Sequence, residues 1–255
     1  MKVQGKDTML TFGGAYSNHI AATAVASNMA KVKAVGVIRG NEFEEELNFT
    51  LAFAKKEGML LHFVSREEYK SKNEKSFLDQ IKQQYGDVFI VPEGGANRYG
   101  VEGCTEIIKE LDKDFDYICA AVGTGTTAAG ILKSLDEKTI LLAFPVLKGR
   151  EDLEEDVLSW QTDRPSASKK LKFINDYHFG GYAKVSSELV KFVNTYYRKH
   201  NIPLDLIYTA KMMFGVYDLV QKDFFPKVSK ILFYHSGGLQ GNKGLRERAN
   251  INLLF

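Results

Sequence analysis

The residues of this chain that could do chemistry stand in glycine-rich turns that follow short apolar runs. The most informative turn lies between the apolar run 117–122 and a segment with apolar residues at helical spacing. A strand that enters a helix through such a turn leaves backbone N–H groups free, and the helix dipole points its positive end at the same place. The pattern predicts a phosphate-binding loop made of Gly123, Thr124, Gly125, Thr126 and Thr127.

The phosphate could belong to more than one kind of ligand. The spacing of the two glycines and Ala128 also fits a dinucleotide-binding loop. That interpretation needs an acidic residue at the end of the next strand. The next predicted strand, 139–146, is instead followed by Lys148 and Arg150, which would suit only a dinucleotide with a 2′-phosphate. A turn that binds nothing is a further alternative, whereas a Walker loop is excluded because no Gly-Lys-Ser/Thr follows.

Three further glycine-rich turns follow apolar runs and carry polar side chains. In open parallel sheets, ligands lie outside the carboxyl ends of the strands. We therefore expect the turns to converge on one cleft. They are Gly13-Gly14 before Ser17, Asn18 and His19, Gly94-Gly95 before Asn97, and Gly237-Gly238 after His235 and Ser236.

Strand-length apolar runs alternate with helical patterns, which predicts an α/β chain of parallel βαβ units. Strands are predicted at 9–12, 34–38, 60–64, 88–91, 117–122, 139–146 and 231–234. Beside the helices that follow the first and fifth strands, helices are predicted at 41–56, 67–85, 101–111, 151–160, 187–199 and 210–221. Residues 161–168 are predicted to be a polar connection and 173–182 an irregular aromatic segment. A boundary near Phe89 would divide the chain into a smaller domain, 1–88, and a larger one, 89–255.

Composition limits the possible partners. The chain has 255 residues and a formal net charge of +2, which is too small to argue for nucleic acid or an anionic membrane. No apolar run approaches the length that spans a bilayer, and nothing resembles a signal peptide, so we expect a cytoplasmic location. The two cysteines, Cys104 and Cys119, match no metal-binding spacing, and no metal site is predicted.

Five motifs make a family resemblance specific: the run from Gly13 to His19, the Pro92–Gly95 turn, the Gly123–Thr127 loop, the tract Tyr208–Lys211 and the His235–Gly238 turn. Together, and in this order, they resemble the 1-aminocyclopropane-1-carboxylate deaminase / D-cysteine desulfhydrase family of pyridoxal-phosphate enzymes. The resemblance covers nearly the whole chain. It implies the tryptophan synthase β-like fold (fold type II), which has two three-layer αβα domains with open, mostly parallel sheets. It also implies pyridoxal 5′-phosphate as the cofactor and a homodimer.

The resemblance assigns roles to individual residues. The Gly123–Thr127 loop would bind the cofactor phosphate, and Asn18 matches the family asparagine beside the 3′-oxygen of the pyridine ring. Ser17 matches a serine near the substrate carboxylate and the reacting carbon, where it is a candidate acid or base. Capping of the following helix is an equally common role for such a serine. Tyr208 matches the active-site tyrosine.

Thr209 stands where the deaminases of this family carry a glutamate that faces the pyridine nitrogen. A neutral hydroxyl there stabilises a protonated ring less, which favours the desulfhydrase side of the family. His19 is expected to be a packed, hydrogen-bonded histidine rather than a base. Tyr177 and His178 are candidates for the substrate pocket, although a role in the core is as well supported.

The chain departs from the family pattern at one place. The lysine that holds the cofactor covalently lies, in this family, in a Gly-Asn-Lys tract upstream of the serine–asparagine motif. Lys2 and Lys6 do not match that tract. We therefore expect that the sequence begins after this lysine. A Gly241-Asn242-Lys243 tract near the other end is expected to be a coincidence, because no basic helix is predicted after it.

The leading hypothesis is thus a pyridoxal-phosphate enzyme that takes a small amino acid and releases ammonia and a 2-oxo acid, together with sulfide from a cysteine-like substrate. A second hypothesis is a binding remnant that retains the phosphate loop but, without the lysine, does not turn over substrate. A third, motivated by Lys148 and Arg150, is an NADP-dependent oxidoreductase.

Overall fold

The computed structural model describes residues 5–111 and 114–255, apart from the side chains of residues 247 and 248. The described chain forms two compact units, the first ending at Gly95 and the second running from Ala96 to Phe255. Each unit contains a four-stranded sheet, and every strand pair in both sheets is parallel. The predicted α/β class with parallel sheets is confirmed.

The first unit alternates strands and helices throughout. Its sheet has the order β3-β2-β1-β4, so the chain builds outward from β1 and then returns to pair β4 on the other side of β1. The elements are β1 (Thr8–Gly14), α1 (Asn18–Ala30), β2 (Lys33–Arg39), α2 (Phe49–Lys56), β3 (Met59–Val64), α3 (Lys75–Tyr85) and β4 (Phe89–Val91).

Neighbouring residues of β2 face two separate cores, one on each side of the sheet. Val35 and Val37 pack in a cluster that includes Ile81 of α3. Ala34 and Ile38 pack in a second cluster, with Ile20 of α1 and Leu51 of α2. Since side chains alternate across a strand, an unbroken apolar run is what a strand buried on both faces requires. The first unit is therefore a three-layer αβα structure.

The second unit repeats this arrangement with the sheet order β7-β6-β5-β8. Its first elements are α4 (Arg98–Cys104), α5 (Glu106–Lys109), β5 (Tyr117–Val122), α6 (Thr126–Ser134), β6 (Ile140–Pro145), α7 (Leu153–Ser159) and α8 (Arg164–Lys169). They are followed by β7 (Leu171–Phe173), α9 (Ser187–His200), α10 (Thr209–Gln221), β8 (Ile231–Phe233) and α11 (Gln240–Ala249).

The two faces of this sheet are again covered by different helices. Ile118 and Ala120 of β5 pack with residues of α6, α7 and α8. Cys119, between them, packs on the opposite face with Met212 and Val216 of α10. Phosphate-binding turns and other ligand sites in such sheets lie where neighbouring strands send their connections to opposite faces. In this unit β5 and its neighbour β8 meet that condition.

Three predicted helices are shorter than expected. The helix predicted at 41–56 begins at Phe49, because the Asn48 side chain accepts a hydrogen bond from the Leu51 backbone N–H and so caps it there. The helix predicted at 67–85 has one 3-10 turn and then α3 from Lys75. The helix predicted at 101–111 is divided between α4 and α5.

Three elements were not predicted. The polar connection contains α8, which is started by an Asp163 cap and by a proline in its first turn. The short edge strand β7 comes directly after it, and α11 includes the Gly241-Asn242-Lys243 tract. The expectation that no basic helix follows that tract was wrong, because α11 continues beyond Lys243 to Ala249. Such short elements depend on packing more than on their own periodicity.

The units divide after Gly95 rather than after residue 88. Strand β4 pairs with β1 through the Met9–Phe89, Leu10–Ile90 and Thr11–Val91 registers, so it completes the first sheet. Within the described part of the chain, no helix is both long and apolar enough to cross a membrane.

Candidate functional site

The junction between β5 and α6 has the geometry of an anion-binding loop. Strand β5 ends at Val122 and α6 begins at Thr126, with Gly125 at the N-cap position. No side chain caps this helix start, a feature that α6 shares with α3, α5 and α7, and here the N-cap residue is a glycine, so that it brings no side chain of its own to the helix start. The hydroxyls of Thr124 and Thr126 lie 3.2 Å apart. The first backbone N–H groups of α6 and these hydroxyls are therefore donors for an oxyanion.

Two glycines of the loop are required by their surroundings. Gly125 has φ +87°, a conformation that costs other residues energy, and a Cβ there would lie 3.0 Å from Val157 Cγ2. A Cβ on Gly123 would lie 3.2 Å from Cε1 of Tyr208. The Tyr208 ring thus lies directly against the phosphate loop, and the structure brings these two predicted site residues together.

Tyr208 is held by a buried carboxylate that the sequence analysis missed. Asp205 is 1% exposed, and its Oδ1 accepts hydrogen bonds from the backbone N–H groups of Ile207 at 3.0 Å and Tyr208 at 2.8 Å. Its Oδ2 accepts the Thr209 N–H at 2.8 Å. Burial raises the pKa of Asp205, and the N–H donors act in the opposite direction. This carboxylate serves as the cap of α10 and orients the residue that contacts Gly123.

Thr209 is completely buried at the start of α10. Its hydroxyl donates to Asp205 Oδ2 at 2.7 Å and accepts from the Asp205 backbone N–H at 3.0 Å. The hydroxyl hydrogen is therefore used within the cap. That Thr209 faces the pyridine nitrogen of a cofactor stays a prediction.

Tyr177 and His178 lie just before a turn of unusual backbone. The Tyr177 hydroxyl donates to Asp218 Oδ2 at 2.6 Å, and its ring packs against Gly215 of α10 and against Phe144. Burial, followed by the nearby Asp218 carboxylate, raises the pKa of Tyr177. His178 accepts the Gly180 N–H on Nδ1 at 2.9 Å. These contacts are those of core and turn residues, and a role of either residue in the substrate pocket stays a prediction.

Ser17 of the first unit caps α1. Its Oγ accepts the Ile20 backbone N–H at 3.3 Å, and a Cβ on Gly13 would come within 2.8 Å of that Oγ. A side chain at position 13 would clash with Ser17, so this position requires glycine. Asn18 follows as the first residue of α1. The capping role foreseen for Ser17 is present, and it uses the oxygen but not the hydrogen of the hydroxyl.

His19 is a packed, hydrogen-bonded residue. The Thr11 hydroxyl donates to the Val91 carbonyl at 2.9 Å, so it receives a hydrogen bond from His19 Nε2 at 2.6 Å. This network assigns the neutral tautomer with its proton on Nε2. Burial lowers the pKa of His19 to about 4. The ring also lies 3.6 Å from the Cβ position of Gly95, so the turns that follow β1 and β4 meet at this histidine.

The other glycine-rich turn of the second unit follows β8. His235 Nε2 lies 2.8 Å from the Pro203 carbonyl, and its Nδ1 accepts the Gly237 N–H at 3.1 Å. The His235 ring therefore shapes its own turn. Each unit thus gathers two of the four turns at the carboxyl ends of neighbouring strands, β1 with β4 and β5 with β8. That all four form one cleft stays a prediction.

Of the two cations that motivated a dinucleotide interpretation, Arg150 is paired with carboxylates and Lys148 is exposed. Arg150 Nε lies 2.7 Å from Asp152 Oδ1, and its Nη2 lies 2.7 Å from Asp156 Oδ2. Lys148 is exposed. Because the Arg150 charge is already matched by two carboxylates, the case for a 2′-phosphate loses its main support.

The Gly241-Asn242-Lys243 tract has a structural role through its asparagine. Asn242 is 5% exposed, its Oδ1 accepts the Leu206 N–H at 2.9 Å, and its Nδ2 donates to the Leu204 carbonyl at 3.0 Å. Lys243 is exposed. The tract supports the segment that leads into the Asp205 cap.

Sequence reasoning missed Asp205 and Tyr182 as neighbours of the site, and it included Lys211 in a family motif without giving this lysine a role. Lys211 is 1% exposed in α10, and the Tyr182 ring lies 6.0 Å from the Tyr208 ring in an edge-to-face arrangement. A lysine placed among apolar residues one turn after the Tyr208-Thr209 motif was the available signal. The Asp205 cap could have been suspected from an aspartate just before a helical pattern.

Comparisons with known proteins agree with this geometry. The family model described as "pyridoxal-phosphate dependent enzyme" (PALP) matches residues 2–237. The chain is 30% identical over 266 residues to a mitochondrial bifunctional D-cysteine desulfhydrase/1-aminocyclopropane-1-carboxylate deaminase of Arabidopsis thaliana, covering 93% of this chain and 65% of the relative. It is 30% identical over 254 residues to a putative 1-aminocyclopropane-1-carboxylate deaminase of Thermotoga maritima, covering 93% of this chain and 80% of the relative.

A solved structure shares the fold. The crystal structure of an ACC deaminase homologue matches with a TM-score of 0.78 and 26% sequence identity, and the match covers 96% of this chain and 79% of that chain. The predicted fold type II is thereby confirmed.

Proposed function

This chain belongs to the family of pyridoxal-phosphate dependent enzymes, and we propose that it is a lyase acting on a small amino acid of the 1-aminocyclopropane-1-carboxylate or D-cysteine type. The products would be ammonia and a 2-oxo acid, together with sulfide from D-cysteine. The observation that carries the proposal is the uncapped start of α6 behind the Gly123–Thr127 loop, with Tyr208 against Gly123.

The residues present fit the phosphate of pyridoxal phosphate. A doubly charged oxyanion needs several converging donors and no competing side chain. The loop meets both needs, because its glycines lack side chains and its threonines add hydroxyls next to the helix start. The positive end of the α6 dipole adds to the attraction. Gly123, Thr124, Gly125, Thr126 and Thr127 would hold this phosphate.

Bound pyridoxal phosphate supplies the electron sink that makes a carbon next to a substrate amine acidic. The residues of the chain would orient the partners and move protons. Tyr208, fixed by the Asp205 cap, offers an aromatic surface beside the phosphate loop. Ser17 accepts the Ile20 N–H and keeps its own hydroxyl hydrogen, so it is able to cap α1 and also to donate a proton to a substrate.

A neutral residue at position 209 supports the desulfhydrase branch of this function. The Thr209 hydroxyl brings no negative charge to the start of α10, and the neighbouring Asp205 carboxylate is already bonded to three backbone N–H groups. A pyridine nitrogen held there would be less readily protonated than beside a free carboxylate. Elimination of a good leaving group such as sulfide demands less of the electron sink than opening a cyclopropane ring. We therefore propose D-cysteine as the first substrate to test.

The chain matches only part of the length of its relatives, so the activity is proposed for the whole protein. The chain spans 65% of the length of the Arabidopsis relative and 80% of the Thermotoga one. The activity, the small amino-acid substrate, a homodimer and a cytoplasmic location are proposed for the whole protein on this basis.

The test begins with an absorbance spectrum of the purified protein with added pyridoxal phosphate, before and after borohydride. Sulfide, ammonia and 2-oxo acid are then measured with D-cysteine, L-cysteine and 1-aminocyclopropane-1-carboxylate. For the whole protein, with the lysine that holds the cofactor, we expect a cofactor band in the visible or near-ultraviolet range and sulfide release from D-cysteine ahead of the other substrates.

Each of the other outcomes has a definite meaning. Cofactor binding that borohydride does not fix, without product release, would identify a binding remnant and contradict the proposed activity. Binding of NADP but not of pyridoxal phosphate would contradict the cofactor as well.

A further inference from the structure

Lys211 is a buried cation that donates hydrogen bonds to two backbone carbonyls of one turn. Its Nζ donates to the backbone carbonyl of His178 at 2.9 Å and to that of Gly181 at 2.7 Å. The side chain is 1% exposed, and burial lowers the pKa of Lys211 to about 8, against the field of the Asp205 carboxylate, which raises it. Burying an ammonium group costs solvation free energy, and the hydrogen bonds to the two carbonyls must offset that cost.

The turn that receives these bonds has a strained backbone. We refer to residues 178–183 as the aromatic turn. Phe179, Gly180, Gly181 and Ala183 all have positive φ angles, of 54°, 88°, 114° and 55°. A left-handed conformation is unfavourable for the two non-glycine residues, Phe179 and Ala183, because their Cβ atoms crowd the backbone. Strain of this kind persists only where the surroundings hold it.

The turn contains hydrogen bonds of its own, among them the one from the Gly180 N–H to His178 Nδ1 at 2.9 Å. The Gly181 N–H donates to the His178 carbonyl at 3.0 Å, and the Lys184 N–H donates to the Gly181 carbonyl at 3.2 Å. Lys211 gives each of these two carbonyls its second and charged donor. The Phe179 ring, which lies 5.0 Å from the Phe214 ring of α10, adds an apolar contact to the same helix.

The aromatic turn also contributes Tyr182, which contacts Tyr208 beside the phosphate loop. Tyr182 meets Tyr208 edge to face with ring centroids 6.0 Å apart, and Tyr208 lies against Gly123. Lys211, the aromatic turn, Tyr208 and Gly123 thus form a continuous series of contacts within the second unit.

We propose that Lys211 is a positioning residue of the phosphate-binding site: its ammonium group holds the aromatic turn in its strained form, and this keeps Tyr182 packed on Tyr208 beside Gly123. The part of this proposal that concerns the cofactor rests on the proposed function, whereas the part that concerns the turn does not.

The experiment compares Lys211→Met with Lys191→Met. Methionine matches the lysine stem in size and lacks its donors, and Lys191 is an exposed lysine on α9 that serves as the matched control. Three quantities are measured: amide hydrogen exchange of residues 178–184, the dissociation constant for pyridoxal phosphate and the Tm. Lys211→Gln, which keeps a short neutral donor, is the second variant and is used if Lys211→Met does not fold.

For Lys211→Met we expect exchange in the turn to become at least tenfold faster. The dissociation constant for pyridoxal phosphate should increase about fivefold, while the Tm changes little because the new side chain is apolar. Lys211→Gln should lie between Lys211→Met and the wild type, and Lys191→Met should equal the wild type.

Unchanged exchange in the turn of Lys211→Met would overturn the proposal. Faster exchange with an unchanged dissociation constant would overturn the positioning role and leave a purely structural contact. If the wild type binds no pyridoxal phosphate, the proposed function fails, and the exchange comparison still decides whether Lys211 holds the turn.

Discussion

The two units contain the same strand–turn–helix junction in two opposite versions. In the first unit β1 leads into α1, and the Ser17 side chain accepts the Ile20 N–H and closes the helix start. In the second unit β5 leads into α6, and Gly125 stands at the corresponding position without a side chain to close it. The sheets around them have equivalent strand orders, so the difference lies in the turns.

This difference teaches how one architecture can host two chemical roles. A helix start that is satisfied by its own serine offers a hydroxyl, fixed in place, to whatever lies nearby. A helix start that is left open offers its N–H groups and dipole to an anion. The choice depends on one residue at the N-cap, and the following predictions test it.

The largest expected effect comes from closing the open junction. In Gly125→Asp the new carboxylate would stand at the start of α6 and repel a phosphate, so we expect the affinity for pyridoxal phosphate to fall at least a hundredfold. Two opposed charges about 4 Å apart near a protein surface interact by about 4 kcal/mol, and like charges repel by as much. Binding is measured by absorbance titration.

Gly125→Asn is the matched control for that experiment. Asparagine has the same shape and an equal tolerance for the positive φ, and it carries no charge. It meets the same Val157 methyl group. Because asparagine also caps a helix, an equal loss of affinity in both variants would show that filling the helix start, by capping or by crowding, and not charge repulsion, decides binding.

A second prediction concerns Lys211, the buried cation of the unit that contains the open junction. The pKa of Lys211 is about 8 in the folded protein, below that of an exposed lysine, because burial disfavours the charged form. Between about pH 8 and pH 10.5 the unfolded chain binds more protons, so this group makes the protein more stable as pH rises through that window. The contribution is fully present above the unfolded pKa and is lost as pH falls through 8.

The measurement is the free energy of unfolding in denaturant at pH 7 and pH 10, for the wild type and for Lys211→Met. The gain of the wild type relative to the variant should approach about 3 kcal/mol over the whole window. Asp205 is the charged group that acts on Lys211 among the described residues, and it is common to both proteins. Parallel stability curves would contradict the prediction.

A third prediction concerns the histidine beside the closed junction. The pKa of His19 is about 4 in the folded state, lowered by burial, while an unfolded histidine titrates near 6.5. The stability that this group contributes is fully present above pH 6.5 and is lost as pH falls to 4 and below; the loss is about 3 kcal/mol in full and about 2 kcal/mol by pH 4.5. Unfolding in denaturant at pH 4.5 and pH 7 measures it.

His19→Gln should remove this acid dependence, since glutamine does not titrate. His200→Gln is the control, because His200 is exposed on α9. A wild type and a His19→Gln protein that lose the same stability between pH 7 and pH 4.5 would show that His19 is not the group responsible.

The smallest expected effect comes from opening the closed junction. Ser17→Ala removes the cap of α1 and should cost about 1 kcal/mol of stability, as should Ser186→Ala at the cap of α9. Ser17→Asn restores an acceptor for the Ile20 N–H and should recover most of that loss. Thermal unfolding measures all three.

The same variants separate the two roles of Ser17. If Ser17 donates a proton to the substrate, Ser17→Asn should stay stable and lose kcat. Full activity in Ser17→Asn would restrict Ser17 to capping.

Much of this architecture could be predicted from local spacing. The strand predicted at 117–122 has the bounds of β5, and the loop after it opens a helix as expected. Unbroken apolar runs identified the buried strands, because a strand covered on both faces is apolar at every position. The helices α9 and α10 were also recognised, since each shows an apolar face at helical spacing over three turns.

Local spacing failed where an element is short or where its limits come from elsewhere. The start of α2 is set by Asn48, whose Nδ2 also donates to the Ala15 carbonyl, and α8 and β7 are too short to show a period. The division after Gly95 follows from the pairing of β4 with β1, eighty positions away in the Thr11–Val91 bond. Such pairings leave no mark in the local pattern.

The sequence by itself determined most of the strands and helices, their α/β alternation and the loop with an open helix start, because those features depend on residues within a few positions of one another. The tertiary structure alone decided that Asp205 orients Tyr208, that Arg150 is bound by carboxylates, and that Lys211 holds a turn 30 and 33 residues away. A charge or a donor in the sequence has no partner until the chain is folded. Burying a charge or a donor without a partner costs free energy, so the fold must supply that partner.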